Sequence, residues 1–559
     1  ESLHYAYDKN QYLIAIKAKI KGSDEEKLIR KYRYNERGKL FTIVDFTDYR
    51  DKNESYVARF YEYDALDRVS SMTYKSGTTV LEAYTYSYDK NNNIVKKTEK
   101  NSTAKEEKDH TDQTTEYTYN ALGRLTKSVV TDHKKNEEKT TTTYSYDSAG
   151  NRTKKVKGEE ETAYTYNGLN QLLKAKTTKG DTVKNDISYQ YDVNGNQIKE
   201  TDKETGDSVE NTYDVGNRLS TVTVTKKSGT SGNETVSLTQ ENLYNGEGQR
   251  IQKKEAGEVT NYFYEDGMVS YTTGADTGEK LIQNLSGLED NVIYAEQKIT
   301  GKAGTASDYQ DFLYTKDIQG STSSILNKDT KGELSYEYDD FGETSIHGNS
   351  ALKNEICYTG GIYDESTGLY YLNARYYDPE NGRFLTEDTY RGEVNDPDTL
   401  HLYAYCANDP INYVDPSGHM TISIAAGMKA IFATVSAAGL WPVAAVCVGI
   451  LIAMYAHNKP KIVAKVTGKI ISALLAVACV AVKTREFVKK IAKTVAKARV
   501  ATKRGKDEKH HIVAQGAKIH HKLKKRMEDL GISIHSKANT VYLDYRLHRR
   551  LHTNIYYIY

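Results

Sequence analysis

Tyr117-Thr118-Tyr119-Asn120-Ala121-Leu122-Gly123-Arg124-Leu125-Thr126-Lys127-Ser128-Val129 decides how the chain is read. Side chains on an extended backbone alternate between faces, so Tyr117 and Tyr119 share one side while Thr118 takes the other. Asn followed closely by Gly supplies the positive-φ positions of a tight turn, after which Leu125–Val129 alternates again. The same Tyr-x-Tyr-Asp/Asn unit recurs at Tyr61–Asp64, Tyr86–Asp89, Tyr144–Asp147, Tyr164–Asn167 and Tyr189–Asp192. Degenerate copies stand at Tyr213-Asp214, Tyr244-Asn245 and Tyr336–Asp339. From Asp64 to Asp192 the turn residues step by 25, 31, 27, 20 and 25, and the repeat accounts for 47 Tyr against 9 Phe and one Trp. One face of each unit is Tyr, Leu and Val; the other is Thr, Lys and Glu. A lone hairpin cannot bury such a face, so the units must stack into one long twisted sheet.

These residues resemble the YD repeat of the Rhs (rearrangement hot spot) family over about residues 1–420. The segments Gly368–Asp388 (GLYYLNARYYDPENGRFLTED) and Leu400–His419 (LHLYAYCANDPINYVDPSGH) resemble that family's repeat-associated core. The resemblance implies a mostly β fold: a repetitive sheet curled into a hollow shell over 1–345, then a core plug over 346–420. It further implies a toxin in the C-terminal part, expected as a small α+β domain at 483–559, and the apolar runs within 421–482 read as helices between shell and toxin. Relatives of this kind release the toxin by self-cleavage after Asp-Pro-x-Gly, here Asp415-Pro416-Ser417-Gly418. By position Asp388 and Asp415 would be the catalytic carboxylates, with Arg383 beside them and scission after His419. Thr389 stands where Pro is usual in the family, and His419 where Leu is common. A simpler reading of the same Asp-Pro turns is that they stop strands and plug the shell.

The C-terminal residues carry a second chemistry. Seven of the 14 histidines lie between His510 and His552. His548 and His552, four apart in a stretch without Gly or Pro, share one face of a helix and can grip one cation. His510-His511 precedes Ile-Val, as at the end of a strand, where adjacent side chains point opposite ways. Lys509-His510-His511, Asn539 and His548-x3-His552 resemble the HNH nucleases, in their AHH-type toxin branch, with Lys509 in place of Ala. The resemblance implies that His511 is the general base, that Asn539 orients it, and that His510, His548 and His552 hold a divalent metal such as Mg, Mn, Zn or Ni. His520, His521, His535 and Asp544 read as surface residues.

Charge points to the same substrate. Residues 483–559 hold 20 Lys+Arg and 6 Asp+Glu, a net of +14 in a chain that is +1 overall. An acidic body thus precedes a basic tail suited to phosphate backbones. Tyrosines enter that tail only at Tyr542, Tyr545, Tyr556, Tyr557 and Tyr559, which favours duplex DNA over stacked single strands. A cognate immunity protein, acidic where it meets the tail, is the expected partner, together with a secretion machinery. Residues 430–456 and 470–482 lack Asp, Glu, Lys, Arg and His, and 421–482 reads as a membrane-passage segment or as a buried helical hairpin. Cys357, Cys406, Cys447 and Cys479 show neither metal spacing nor a disulfide framework. A chain opening at Glu1 without an apolar leader reads as the C-terminal piece of a longer protein, secreted or at the cell surface, whose toxin acts in the target cytoplasm. The competing reading is a surface adhesin with a metal- or polyanion-binding tail.

Overall fold

The computed structural model describes residues 2–424, apart from 11, 20–24, 51–53, 228–233, 266, 276–278, 288–291, 299–308, 394–396 and 420, and also 508–511 and 540–543. The chain divides into two units, Glu1–Leu440 and Trp441–Tyr559. The first is dominated by one 28-stranded sheet, from β1 (Ser2–Tyr7) to β28 (Thr344–Gly348). Each strand pairs antiparallel with its neighbours in sequence, as in β9 (Thr111–Tyr119) with β10 (Leu125–Asp132), and β10 with β11 (Glu138–Tyr146). The long alternating sheet expected from the repeats is therefore what forms.

The Asp or Asn that closes each repeat builds the turn with its own side chain. Asp192 Oδ1 accepts from the N–H groups of Asn194 and Asn196, both at 2.9 Å. Its backbone bonds to Asn196 O (2.9 Å), while Gly195 N–H reaches Asp192 O (3.1 Å). Asp64, Asn120, Asp214 and Asp339 repeat the pattern. Three residues on, the chain enters the left-handed region, with Gly at 123 and 195 but Asp67 (φ 62°) and Asn217 (φ 58°) elsewhere. Asp and Asn tolerate that region better than other non-glycine residues, which is why the fourth turn position varies among them.

The two tyrosines of a repeat do different work. The first, as in Tyr61, Tyr144, Tyr164 and Tyr189, is buried in the core. The second reaches back to the preceding hairpin, its hydroxyl donating to the carbonyl of the residue that follows the earlier turn. The pairs include Tyr63 to Leu40 O (2.6 Å), Tyr88 to Val69 O (2.7 Å), Tyr119 to Ile94 O (2.6 Å), Tyr146 to Leu125 O (2.7 Å) and Tyr213 to Gln197 O (2.8 Å). Phe could fill the same space but would strip these carbonyls of a donor.

The sheet curls until its later strands meet its earlier ones. Tyr294 of β24 (Val292–Lys298) donates to Phe46 O (2.6 Å), and Tyr74 to Lys316 O (2.8 Å). Thr111 Oγ1 donates to Glu337 (2.7 Å), and Tyr144 to Asp340 (2.8 Å). A core cluster therefore joins Leu13, Ile43, Tyr84 and Leu125 to Ile293, Leu313 and Phe341.

Residues 349–424 form a compact piece around β29 (Ile362–Asp364), β30 (Leu369–Leu372), β31 (Arg375–Asp378) and β32 (Arg383–Phe384). It lies across the turn-bearing ends of the sheet. Tyr403 OH donates to Gly195 O (2.8 Å), Asn408 Nδ2 to Gly150 O (2.9 Å), and Tyr371 OH to Gly248 O (3.2 Å). A Cβ on Gly195 would sit 2.7 Å from both Glu387 Oε1 and Tyr403 OH, so glycine there serves the turn and the contact together. The apolar helices expected over 421–482 lie outside the described residues, save 421–424. Among the described residues no helix is long and apolar enough to cross a membrane.

Candidate self-cleavage and nuclease sites

Asp388 and Asp415 come together although 27 positions separate them in sequence. Both are buried, at 8% and 2% exposure. The residue that joins them is Arg375, not Arg383. Arg375 Nη2 lies 2.8 Å from Asp388 Oδ2 and 3.8 Å from Asp415 Oδ2. Its Nη1 donates to Leu402 O (3.0 Å), its Nε to Gly418 O, and its guanidinium stacks 3.5 Å from the Phe384 ring centre. Arg383 instead donates to Asn170 O (2.6 Å) and lies over the rings of Tyr166 and Tyr403. Its place close to Asp388 in sequence suggested a role beside the aspartates, but its guanidinium is committed to the Asn170 turn. The missed signal was a lone Arg opening the four-residue strand Arg375–Asp378, all of which is buried.

Asp388 Oδ1 also accepts from Tyr390 N–H (2.8 Å) and meets His419 Nδ1 at 2.9 Å. Burial pushes the Asp388 carboxyl upward, but the His419 hydrogen bond and then the Arg375 charge outweigh it and hold the group below the usual carboxylate range. Burial pulls Arg375 down to about 10, against the pull of both carboxylates, which leaves it charged at neutral pH. His419 N–H donates to Asp415 Oδ1 (3.1 Å). The residue before the expected scission thus touches both aspartates. Two carboxylates flanking a peptide bond can activate water and protonate a leaving nitrogen.

In the second unit, β35 (Glu508–His511) pairs antiparallel with β36 (Thr540–Leu543). His510 stands opposite Val541 and His511 opposite Thr540. The doublet therefore ends one strand, next to the start of a strand that Asn539 immediately precedes. Asn539, His548 and His552 lie outside the described residues. Among the described residues no cluster of three His, Cys, Asp or Glu could hold a metal.

Residues 1–411, most of the chain, match the teneurin YD-shell family. The chain belongs to that family. Residues 491–559 match a nuclease family of the HNH/ENDO VII superfamily with conserved AHH, so this is an Rhs/YD-repeat protein with a C-terminal AHH nuclease domain. The tRNA3(Ser)-specific nuclease WapA of Bacillus spizizenii is 30% identical over 340 residues, covering 59% of this chain and 12% of that protein. The tRNA nuclease WapA of Bacillus subtilis is 33% identical over 261 residues, or 46% and 10%. The YD-shell chain thus spans about a tenth of the length of these relatives. Among solved structures, the Photorhabdus luminescens Tc holotoxin pore is similar at TM-score 0.31 and 15% identity, over 73% of this chain and 25% of that one.

Proposed function

We propose that this chain is the shell and toxin of a polymorphic bacterial weapon, and that its C-terminal domain hydrolyses phosphodiester bonds of nucleic acid in a target cell. The observation that carries the reading is the His510-His511 doublet. It lies on a strand paired with Thr540–Leu543, inside the segment that matches the AHH nucleases. His511 takes a proton from water, and Asn539 holds the ring in the right tautomer. His510, His548 and His552 supply three imidazoles, a donor set that suits a divalent ion, Zn or Ni above Mg or Mn. When bound, that ion stabilises charge on the scissile phosphate. The +14 tail supplies affinity for duplex DNA, and the tRNA named for the relatives stands as the rival substrate.

The repeat shell encloses the toxin until delivery, and self-cleavage after His419 by Asp388 and Asp415 frees it. Residues 421–482 contact the target membrane, and an immunity protein acidic toward the tail protects the producer. The test uses purified full-length chain with plasmid DNA and with tRNA, under each of Mg, Mn, Zn and Ni. Degradation is expected with metal, stopped by EDTA and by His511→Ala. An intact substrate in every lane refutes the nuclease reading.

A further inference from the structure

His419 is gripped at its main chain and its side chain by the carboxylate pair. Its N–H donates to Asp415 Oδ1 at 3.1 Å and lies 3.3 Å from Ser417 Oγ. Just before it, Gly418 O accepts from Arg375, and Gly418 runs at φ +72°, where a Cβ would come within 2.5 Å of Leu372 O. The path of the chain into position 419 is therefore set by backbone contacts that leave no room for another residue type at 418. What remains variable is the side chain at 419. It is 39% exposed, and its ring meets Asp388 Oδ1 at 2.9 Å. An apolar side chain here would leave that oxygen with Tyr390 N–H as its other contact, in a carboxylate that is otherwise buried.

We propose that His419 is the specificity-determining residue of self-cleavage. Docked on Asp388 by its ring and on Asp415 by its N–H, it fixes the residue that precedes the bond to be cut, so this site selects a hydrogen-bond donor at that position. The inference rests on the self-cleavage reading given above. In the step, the oxygen of water adds to the His419 carbonyl carbon and the bond to the Met420 nitrogen breaks. A carboxyl group remains on His419, and the displaced proton passes through the carboxylates to the new Met420 amine. His419 positions the bond; Asp388 and Asp415 move the proton.

The test follows the full-length chain by intact mass spectrometry after expression, as wild type and as His419→Asn, His419→Leu, His419→Asp and Asp388→Asn. Wild type is expected to yield fragments 1–419 and 420–559. His419→Asn, which keeps a donor, cuts at the same bond within a few-fold of that rate. His419→Leu loses a charge-assisted hydrogen bond and slows by about tenfold or more, and His419→Asp, which sets a like charge against Asp388, stays uncut. Equal thermal unfolding of all variants separates positioning from misfolding. If His419→Leu cuts at the same bond and rate while Asp388→Asn stays whole, self-cleavage stands and the selectivity does not. The selectivity also fails if His419→Asn is as slow as His419→Leu. Should wild type stay uncut, the underlying reading falls and the inference with it.

Discussion

Asp192 and its counterparts spend one side-chain oxygen on two backbone N–H groups, and the repeat is legible because of it. Replacing Asp192 by Ala leaves Asn194 and Asn196 N–H without that acceptor and is expected to cost about 1–2 kcal/mol. Tyr213→Phe removes one of the two side-chain donors to Gln197 O, Asn211 Nδ2 (3.1 Å) being the other, and should cost about 1 kcal/mol. Urea unfolding followed by tyrosine fluorescence checks both. Equal stability of Tyr213→Phe and wild type would mean that the hydroxyls are incidental. Turn chemistry and face alternation could be read directly, since both act within a few residues. The reason for Tyr rather than Phe could not, because each acceptor lies a whole hairpin back. Arg375 escaped for the same reason: it reaches Asp388 and Asp415 across folded strands, whereas Arg383 merely sits near Asp388 along the chain.

Between elements, buried charge fixes the core piece to the sheet. Arg250, fully buried, donates to Asp364 Oδ1 (3.1 Å) and Oδ2, while Lys253 Nζ lies 2.6 Å from Glu355 and 3.2 Å from Asp364. Burial pushes the Asp364 carboxyl up, but the Arg250 and Lys253 charges hold it well below the usual range. Asp364→Asn should cost about 3–5 kcal/mol, since it leaves Arg250 buried against a neutral partner. Asp409 behaves oppositely. Burial, against hydrogen bonds from Asn412, raises it to about 7. The proton it binds on folding stabilises the chain below about pH 4, and that contribution is lost as pH rises through 7. Asp364 contributes above its ordinary range and loses its contribution in acid. Burial raises Glu380 to about 7 and Glu200 to about 8 as well, so melting temperature should peak at mildly acid pH, and Asp409→Asn should make the alkaline limb shallower while leaving the acid limb as it is. An unchanged alkaline limb in that variant would contradict the assignment.

Across the whole molecule, repeat period and alternation foretold a long antiparallel sheet. They did not foretell its curl, which depends on contacts such as Tyr294 with Phe46 that join residues hundreds of positions apart. For the nuclease, order and spacing of His510, His511, Asn539, His548 and His552 carried the reading, and the strand pair of 508–511 with 540–543 places the doublet. That a YD-shell carries an active nuclease with His511 as its base can be tested in a living cell. The most direct test is growth of a bacterial culture after induced cytoplasmic expression of the full chain, as wild type and as His511→Ala, with both proteins confirmed at equal abundance. Wild type should arrest growth and the variant should not. Equal growth of the two cultures would contradict the account.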